Sequence, residues 1–385
     1  MNYQLTRFEN QDISIQSLNI NSILVFASIL FVPAAYVLVS AVFIIEVLHF
    51  NLKANKSSVL PLIYIFLGTV LSEYKLISSI FGLMMLLCMY TYYQFSNSNI
   101  DFNFKKTIYI VSMIVFIIGI IQYLNPNFTI PYKWIDAEKY NVNKRIYSTF
   151  FNPNVFGFYI NFIIILCAEN LNFKKINIEW IVYFTAVGCL ILTFSRTSWI
   201  ALILSLLLMS FLNRKYFKHA IFISTAIVIA NYYLKTGRIN ISNAINDSSF
   251  LYRMEIWKAS TKIISDNFTT GIGFGTLNKY IAAYSKLVSA KIEHAHSIYL
   301  QILTETGIAG ALIFLYMLYN IARKLFSKIK DTNDNARWVT AMTVLIMILI
   351  HGMVDSVPLT PQIMMLLCIY GGALNNTETF QRTHL

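Results

Sequence analysis

The chain has 385 residues, of which 57% are hydrophobic, 15% aromatic and only 12% charged, with a mean hydropathy of +0.58. A soluble domain carries about a quarter charged residues, so this chain has too few to cover a water-facing surface. The formal net charge of +12 does not mark a nucleic-acid binder, because most Lys and Arg residues stand in short clusters between apolar runs, where positive loops orient a membrane protein.

Taken in chain order, the first twenty residues are polar, and Arg7 is their only basic residue. That pattern predicts no cleavable signal peptide. Residues 21–50 form one apolar stretch interrupted by Pro33, read as two short helices folded back on each other in preference to one long tilted helix. Further membrane segments are predicted near 58–74, 76–95, 106–124, 152–169, 177–194, 198–213, 218–234, 307–322, 338–355 and 358–374. These runs approach the length of about 17 to 25 residues that a helix needs to cross about 30 Å of hydrocarbon. The fold class is therefore all-α, a polytopic integral membrane protein with about 11–12 transmembrane helices. The four cysteines, Cys88, Cys167, Cys189 and Cys368, lie inside apolar runs without a CxxC pair and read as small buried hydrophobes.

The loop charges supply an orientation. Lys53 and Lys56, Lys105 and Lys106, Lys174 and Lys175, the Arg214, Lys215 and Lys218 group, and Arg323, Lys324, Lys328 and Lys330 fall on alternate connections. All can be cytoplasmic at once. The extracytoplasmic side then receives the turn near Lys75, the loop 125–150, the turn at Arg196 and the long loop 235–306, in which short surface helices are expected. Most of the polar, non-repetitive sequence is on that face, where an extracytoplasmic active site would be built.

The most informative stretch runs from His294 to Gly307. From His296 onward, Tyr299, Leu300 and Leu303 recur at helical spacing, so a helix is expected to begin near His296. Histidine side chains suit proton abstraction from a hydroxyl; a packing role at the interface is the alternative reading. Glu305 is about half a turn out of phase and is not expected to orient His296. Arg196, in Thr193-Phe-Ser-Arg-Thr-Ser-Trp199, separates two apolar runs almost without a loop. A charge at that depth faces a cavity or partner, or else snorkels from a helix end. Arg253 and Trp257 share one face of an expected surface helix, where a solvated arginine would look the same. Gly271-Ile-Gly-Phe-Gly275 follows no predicted strand, so a turn is expected in place of a dinucleotide loop, with a backbone nest for an anion as the lesser option. Asn152-Pro-Asn154 reads as a helix cap followed by proline at the first helical position.

Together these positions resemble the O-antigen ligase and polymerase superfamily, bacterial membrane enzymes acting on undecaprenyl-diphosphate-linked glycans. The resemblance rests on Arg145 ahead of Asn152-Pro-Asn154, on Ser195-Arg196, on Arg253 and Trp257 before Gly271-x-Gly-x-Gly275, and above all on His296, Tyr299, Leu300, Glu305 and Gly307. Ser297 departs from it, since family members commonly have Asn there. The chain then divides into N-terminal transmembrane segments (1–144), a ligase-like catalytic membrane region (145–375) and a cytoplasmic tail (376–385).

The resemblance implies metal-independent glycosyl transfer at the outer face of the bacterial cytoplasmic membrane, without a cofactor. The catalytic residues expected are His296, Arg196 and Arg253; Arg145, Asn154, Trp257 and Tyr299 are expected to bind substrate. Guanidinium groups neutralise a departing diphosphate bidentately, and His296 would take the proton of the acceptor hydroxyl. With one base and no evident carboxylate nucleophile, a single inverting displacement is the economical mechanism. The partners implied are the undecaprenyl-diphosphate-linked oligosaccharide, a glycan acceptor, the bilayer and other polysaccharide assembly proteins, with no nucleic acid. Richness in Ile, Asn and Lys suggests an AT-rich genome; a Gram-positive source would have no lipid A acceptor, which favours a capsular or exopolysaccharide polymerase. A ligase acting on lipid A-core uses the same chemistry. The alternative from another class is a transporter or flippase, in which Glu46, His351 and Asp355 would serve proton coupling.

Overall fold

The computed structural model describes residues 21–48, 59–97, 103–125, 127, 144–171, 177–234, 248–288, 292, 294–331 and 335–376. Arg7, Lys53, Lys56, Lys174, Lys175 and the tail 377–385 lie outside the described residues. Among those described, the regular structure is helical, with no strand. The chain is an all-α polytopic membrane protein.

The apolar stretch near the start forms two helices, α1 (Asn21–Leu30) and α2 (Val32–Leu48), separated at Phe31. Pro33 lies in the first turn of α2, where its missing N–H removes no intrahelical bond. Next come α3 (Val59–Val70), α4 (Lys75–Asn97) and α5 (Phe104–Leu124), the last capped by Asn103, whose side chain accepts from the Lys106 N–H. Then follow α6 (Pro153–Asn170), α7 (Ile178–Leu192), α8 (Arg196–Met209) and α9 (Lys215–Leu234). The expected cap of α6 is present: the Asn154 N–H donates to Asn152 Oδ1 at 2.8 Å, and Pro153 is the first helical residue.

Among the described residues of the long loop are two surface helices, α10 (Ser248–Asp266) and α11 (Leu277–Tyr284). They are followed by α12 (Ile298–Asp331), α13 (Ala336–Gly352) and α14 (Pro361–Asn375). Of these, α4, α5, α9 and α12 are long and apolar enough to cross a membrane by length and composition. Large apolar side chains such as Phe66, Ile117, Ile200 and Phe211 are exposed on the helix exteriors. In water such surface would drive association; against lipid it costs nothing.

The helix α6 occupies the centre. Its residues from Val155 to Ala168 are buried around the whole circumference, the pattern of a helix enclosed by others, and α5, α7, α8 and α13 pack against it. At its far end, Lys105 Nζ reaches Glu169 Oε1 at 2.6 Å, and Lys215 Nζ donates to the Glu169 carbonyl at 2.7 Å. Two of the basic clusters, those at the starts of α5 and α9, therefore share that end of the bundle. The opposite end collects the α3–α4 turn, the α7–α8 turn, α10, α11 and the α13–α14 connection. Asn154 stands there, on the first turn of the most enclosed helix, and so on rigid support.

Candidate active site

His296 lies two residues before α12 with φ +49°, a left-handed conformation that a non-glycine residue seldom adopts. Such strain persists only where surrounding contacts impose it, and it gathers at functional sites. Here the contacts are identifiable. Trp257 Nε1 on α10 donates to the His296 carbonyl at 3.3 Å, and the next N–H, of Ser297, donates to Ser356 Oγ at 3.0 Å. Ser297 is thus buried with its backbone in use, and its carbonyl accepts from the Gln301 N–H at 2.9 Å.

The imidazole meets a carboxylate. Asp355, in the α13–α14 connection, is 2% exposed. Its Oδ1 lies 3.2 Å from His296 Nδ1 and also accepts from the Ser356 N–H at 2.9 Å. Its Oδ2 accepts from Asn154 Nδ2 at 3.0 Å and from Arg253 Nη2 at 3.3 Å. Burial alone would push the Asp355 pKa up. The hydrogen bond to His296, and the charges of His296, Arg253 and His294, outweigh that and hold the carboxyl well below its usual value. It stays ionised and can only accept. Nδ1 of His296 must then carry the proton of the shared bond, and in the neutral ring it is Nε2 that holds the lone pair.

The same logic fixes Asn154. A carboxylate accepts only, so the amide presents its NH2 to Asp355, and Oδ1 receives Ser195 Oγ at 2.9 Å and Arg145 Nη2 at 3.3 Å. Arg145 is buried and its Nε donates to the Thr193 carbonyl at 2.8 Å, so it fastens the α7–α8 turn to the start of α6. Arg196 is the first residue of α8, directly after Ser195. Phe194, in the same turn, is again left-handed at φ +51°.

Of the residues singled out from sequence, His296, Arg253, Asn154, Arg145 and Trp257 are joined through this network, and Arg196 adjoins it through Ser195. Tyr299 points elsewhere: its hydroxyl donates to the Leu349 carbonyl on α13 at 3.0 Å. The residue sequence reading missed as part of this cluster is Asp355, assigned there to a proton-coupling alternative. The available signal was a carboxylate closing a membrane run on the same side as His296.

His294 is the second omission. Its ring packs edge-on against His296 at 4.4 Å between centroids, and its Nε2 lies 3.9 Å from Asp355 Oδ1. Burial, then the charge on His296, lowers its pKa to about 4, with Arg253 adding to the effect and Asp355 opposing it. Ligand atoms of His294, His296 and Asp355 lie within 4.8 Å of one another, a spacing that a metal ion would accept. The Arg253 guanidinium on Asp355 puts a positive charge where that cation would need to approach, which works against it.

Glu305 does not touch His296, as its helical phase requires. Its Oε1 accepts from the Gly275 N–H at 2.7 Å and from Gln301 Nε2 at 2.6 Å, and its carbonyl accepts from the Gly273 N–H at 2.8 Å. The glycine-rich turn thus gives one backbone N–H, that of Gly275, to this carboxyl side chain. Gly271 (φ +68°) and Gly307 (φ +60°) sit back to back, and a Cβ on either would meet the other's neighbouring backbone at 2.5 Å. Gly307 breaks α12 there, so the piece beginning at Ile298 is set apart from the long apolar piece after it.

Residues 181–315 match the family model described as O-antigen ligase. Over that stretch the chain is similar to the O-antigen ligase family. The match runs from α7 into α12 and takes in Arg196, Arg253, Trp257, His296 and the glycine-rich turn. Asp355, Asn154 and Arg145 lie outside it, so the matched region shares its polar network with residues from flanking segments. No curated protein matches the chain. Its apolar helices make it a multipass membrane protein.

Proposed function

We propose that this protein polymerises polysaccharide at the outer face of the bacterial cytoplasmic membrane. It transfers a glycan from undecaprenyl diphosphate to the hydroxyl of another lipid-linked repeat. The observation that carries the reading is the bond between His296 Nδ1 and Asp355 Oδ1 at the polar end of an apolar bundle. It orients an imidazole base as a carboxylate orients the histidine of a hydrolytic triad. Arg253 and Arg196 neutralise the leaving diphosphate. A guanidinium has five N–H donors, so Arg253 can hold Asp355 through Nη2 and an anionic oxygen as well. Asp355 is enclosed and engaged through both oxygens, which suits orientation of His296 better than attack on a sugar. One displacement with inversion follows, and no metal is needed.

A cavity of about 450 Å³ supports a lipid-linked substrate. It is lined by Ile298 and Leu359, two and four residues from His296 and Asp355, and continues past Phe314 and Leu345 to Lys324 and Asn375. Those last two lie at the other end of α12 and α14. An apolar passage running along the helices from the catalytic cluster fits an isoprenoid chain, with the diphosphate left beside the arginines.

Purified protein in nanodiscs, given one lipid-linked repeat unit as its only substrate, tests this. The expected product is a ladder of longer lipid-linked chains with release of undecaprenyl diphosphate. Consumption only after lipid A-core is added would replace polymerase by ligase, and no consumption under either condition would remove the transferase reading.

Sidedness has its own test. With cysteine introduced in a background lacking the native four, Leu287→Cys is expected to react with a membrane-impermeant maleimide in intact cells, and Lys330→Cys only after lysis. The reverse pattern would put His296 on the cytoplasmic side and end the proposed orientation.

A further inference from the structure

Among the described residues between α5 and α6 is a 3₁₀ turn, Ser148–Phe150, and both ends of it are left-handed. Ser148 has φ +51° and Phe151 has φ +54°. For a bulky residue that conformation is an outlier, where glycine would sit without strain. Phe151 is also 75% exposed, so its ring recovers little by burial. Neither the backbone nor the surface selects phenylalanine there.

The turn is nevertheless held firmly. Gln122 on α5 accepts the N–H groups of Tyr147 and Ser148 through Oε1, at 3.2 and 2.8 Å, and its Nε2 donates to the Ser148 carbonyl at 3.3 Å. Ser148 Oγ donates to the Val115 carbonyl at 2.7 Å, and Thr149 Oγ1 to the Ile29 carbonyl at 2.9 Å. The buried Phe150 stacks on Phe156 at 5.6 Å between centroids. This scaffold leaves Phe151 facing out, with Tyr147 stacked against it at 6.5 Å. Three residues on is Asn154, whose amide touches Asp355.

We infer that Phe151, backed by Tyr147, is a stacking platform for a sugar ring of the glycan beside the reaction centre. One face of a pyranose presents C–H groups, which pack on the electron-rich face of an aromatic ring, and the hydroxyl groups around its edge stay in water. A fixed ring next to the polar cluster supplies that contact at little entropic cost. A membrane-interface anchor is the competing use of an exposed aromatic. Such belts favour Trp and Tyr for their polar edge, and an apolar anchor would function as well with leucine.

The inference rests on the transferase reading, and the test separates the two. Binding of the delipidated repeat-unit oligosaccharide to the protein in nanodiscs is followed by saturation-transfer NMR, alongside transfer from the lipid-linked donor. Wild type is expected to bind. Phe151→Leu is expected to weaken binding roughly tenfold and raise KM with kcat little changed, and Phe151→Trp to restore both. Phe151→Gly relaxes the backbone and should hold or raise Tm while losing glycan binding, an outcome that a packing role for the ring does not produce. If Phe151→Leu binds and turns over like wild type, the platform is wrong while the enzyme stands. If wild type neither binds nor transfers glycan, the transferase reading fails and takes the platform with it.

Discussion

Asp355→Asn is expected to lower transfer by about 10²–10⁴-fold, the range that positioned acid–base catalysis supplies, while the folded protein persists. Asn is chosen because removing one partner of a buried ion pair outright costs about 3–5 kcal/mol. Asp355→Ala would confuse unfolding with inactivity. An asparagine has the same shape, and its Oδ1, placed where Asp355 Oδ2 stands, can still accept from Arg253 and from Asn154 Nδ2. It cannot guarantee the tautomer of His296. With the ionised carboxylate at 3.2 Å, Nδ1 carries the proton, and in the neutral ring Nε2 accepts. With a neutral amide there, either nitrogen can be protonated, and the imidazolium formed on proton transfer loses its counter-charge. The measurement is turnover with purified lipid-linked substrate at saturating concentration, paired with substrate affinity and Tm. A fall in turnover with affinity and Tm preserved is the expected result. Near-normal turnover would show that Asp355 is only structural and would return His296 to the packing reading.

The fold was legible because crossing hydrocarbon calls for apolar runs of a characteristic length. Runs such as 106–124 and 218–234 coincide with α5 and α9 to within a few residues, and the helix expected near His296 begins at Ile298. The periodicity of Tyr299, Leu300 and Leu303 was local information. So was the phase argument about Glu305, which is found bound to the glycine turn. The break at Gly307 was visible only as a glycine at the edge of an apolar run. Its cause, close contact with Gly271, depends on a fold that brings the two together.

The site was legible as a set of residues and not as a network. His296 and Asp355 are 59 positions apart, on either side of two membrane helices. No spacing rule connects them, and a carboxylate at the end of an apolar run is open to several readings. Arg145 is a similar case: its charge was visible, but its use as a fastener between Thr193 and Asn154 needed coordinates. Four left-handed non-glycine residues, Ser148, Phe151, Phe194 and His296, are found among the described residues, and all lie within a few positions of this network. Ordinary sequence reading has no signal for that, because each is a residue that normally avoids the conformation.

His296→Gln is expected to abolish transfer, by about 10²–10⁴-fold or more, with folding and substrate binding retained. A sugar hydroxyl is a weak nucleophile near neutral pH, and its attack needs a base within hydrogen-bonding reach as the bond forms. Glutamine can match the size of the imidazole and can donate to Asp355 Oδ1 as Nδ1 does. It has no nitrogen able to take the proton. His294→Gln is the internal control. Its ring touches His296 and approaches the same oxygen at 3.9 Å, and with a pKa lowered to about 4 it is neutral at pH 7. Replacing it there changes no charge, so a modest loss of rate is expected. The two variants are compared in single-turnover transfer, with binding measured separately to remove affinity from the comparison. If His294→Gln collapses while His296→Gln works, the base has been assigned to the wrong member of an adjacent pair, and Asp355 serves its neighbour. If both retain near-normal rates, proton removal by histidine is not part of the reaction. The bond between His296 and Asp355 would then be a clamp on the α12 start, comparable to the Ser297–Ser356 contact beside it.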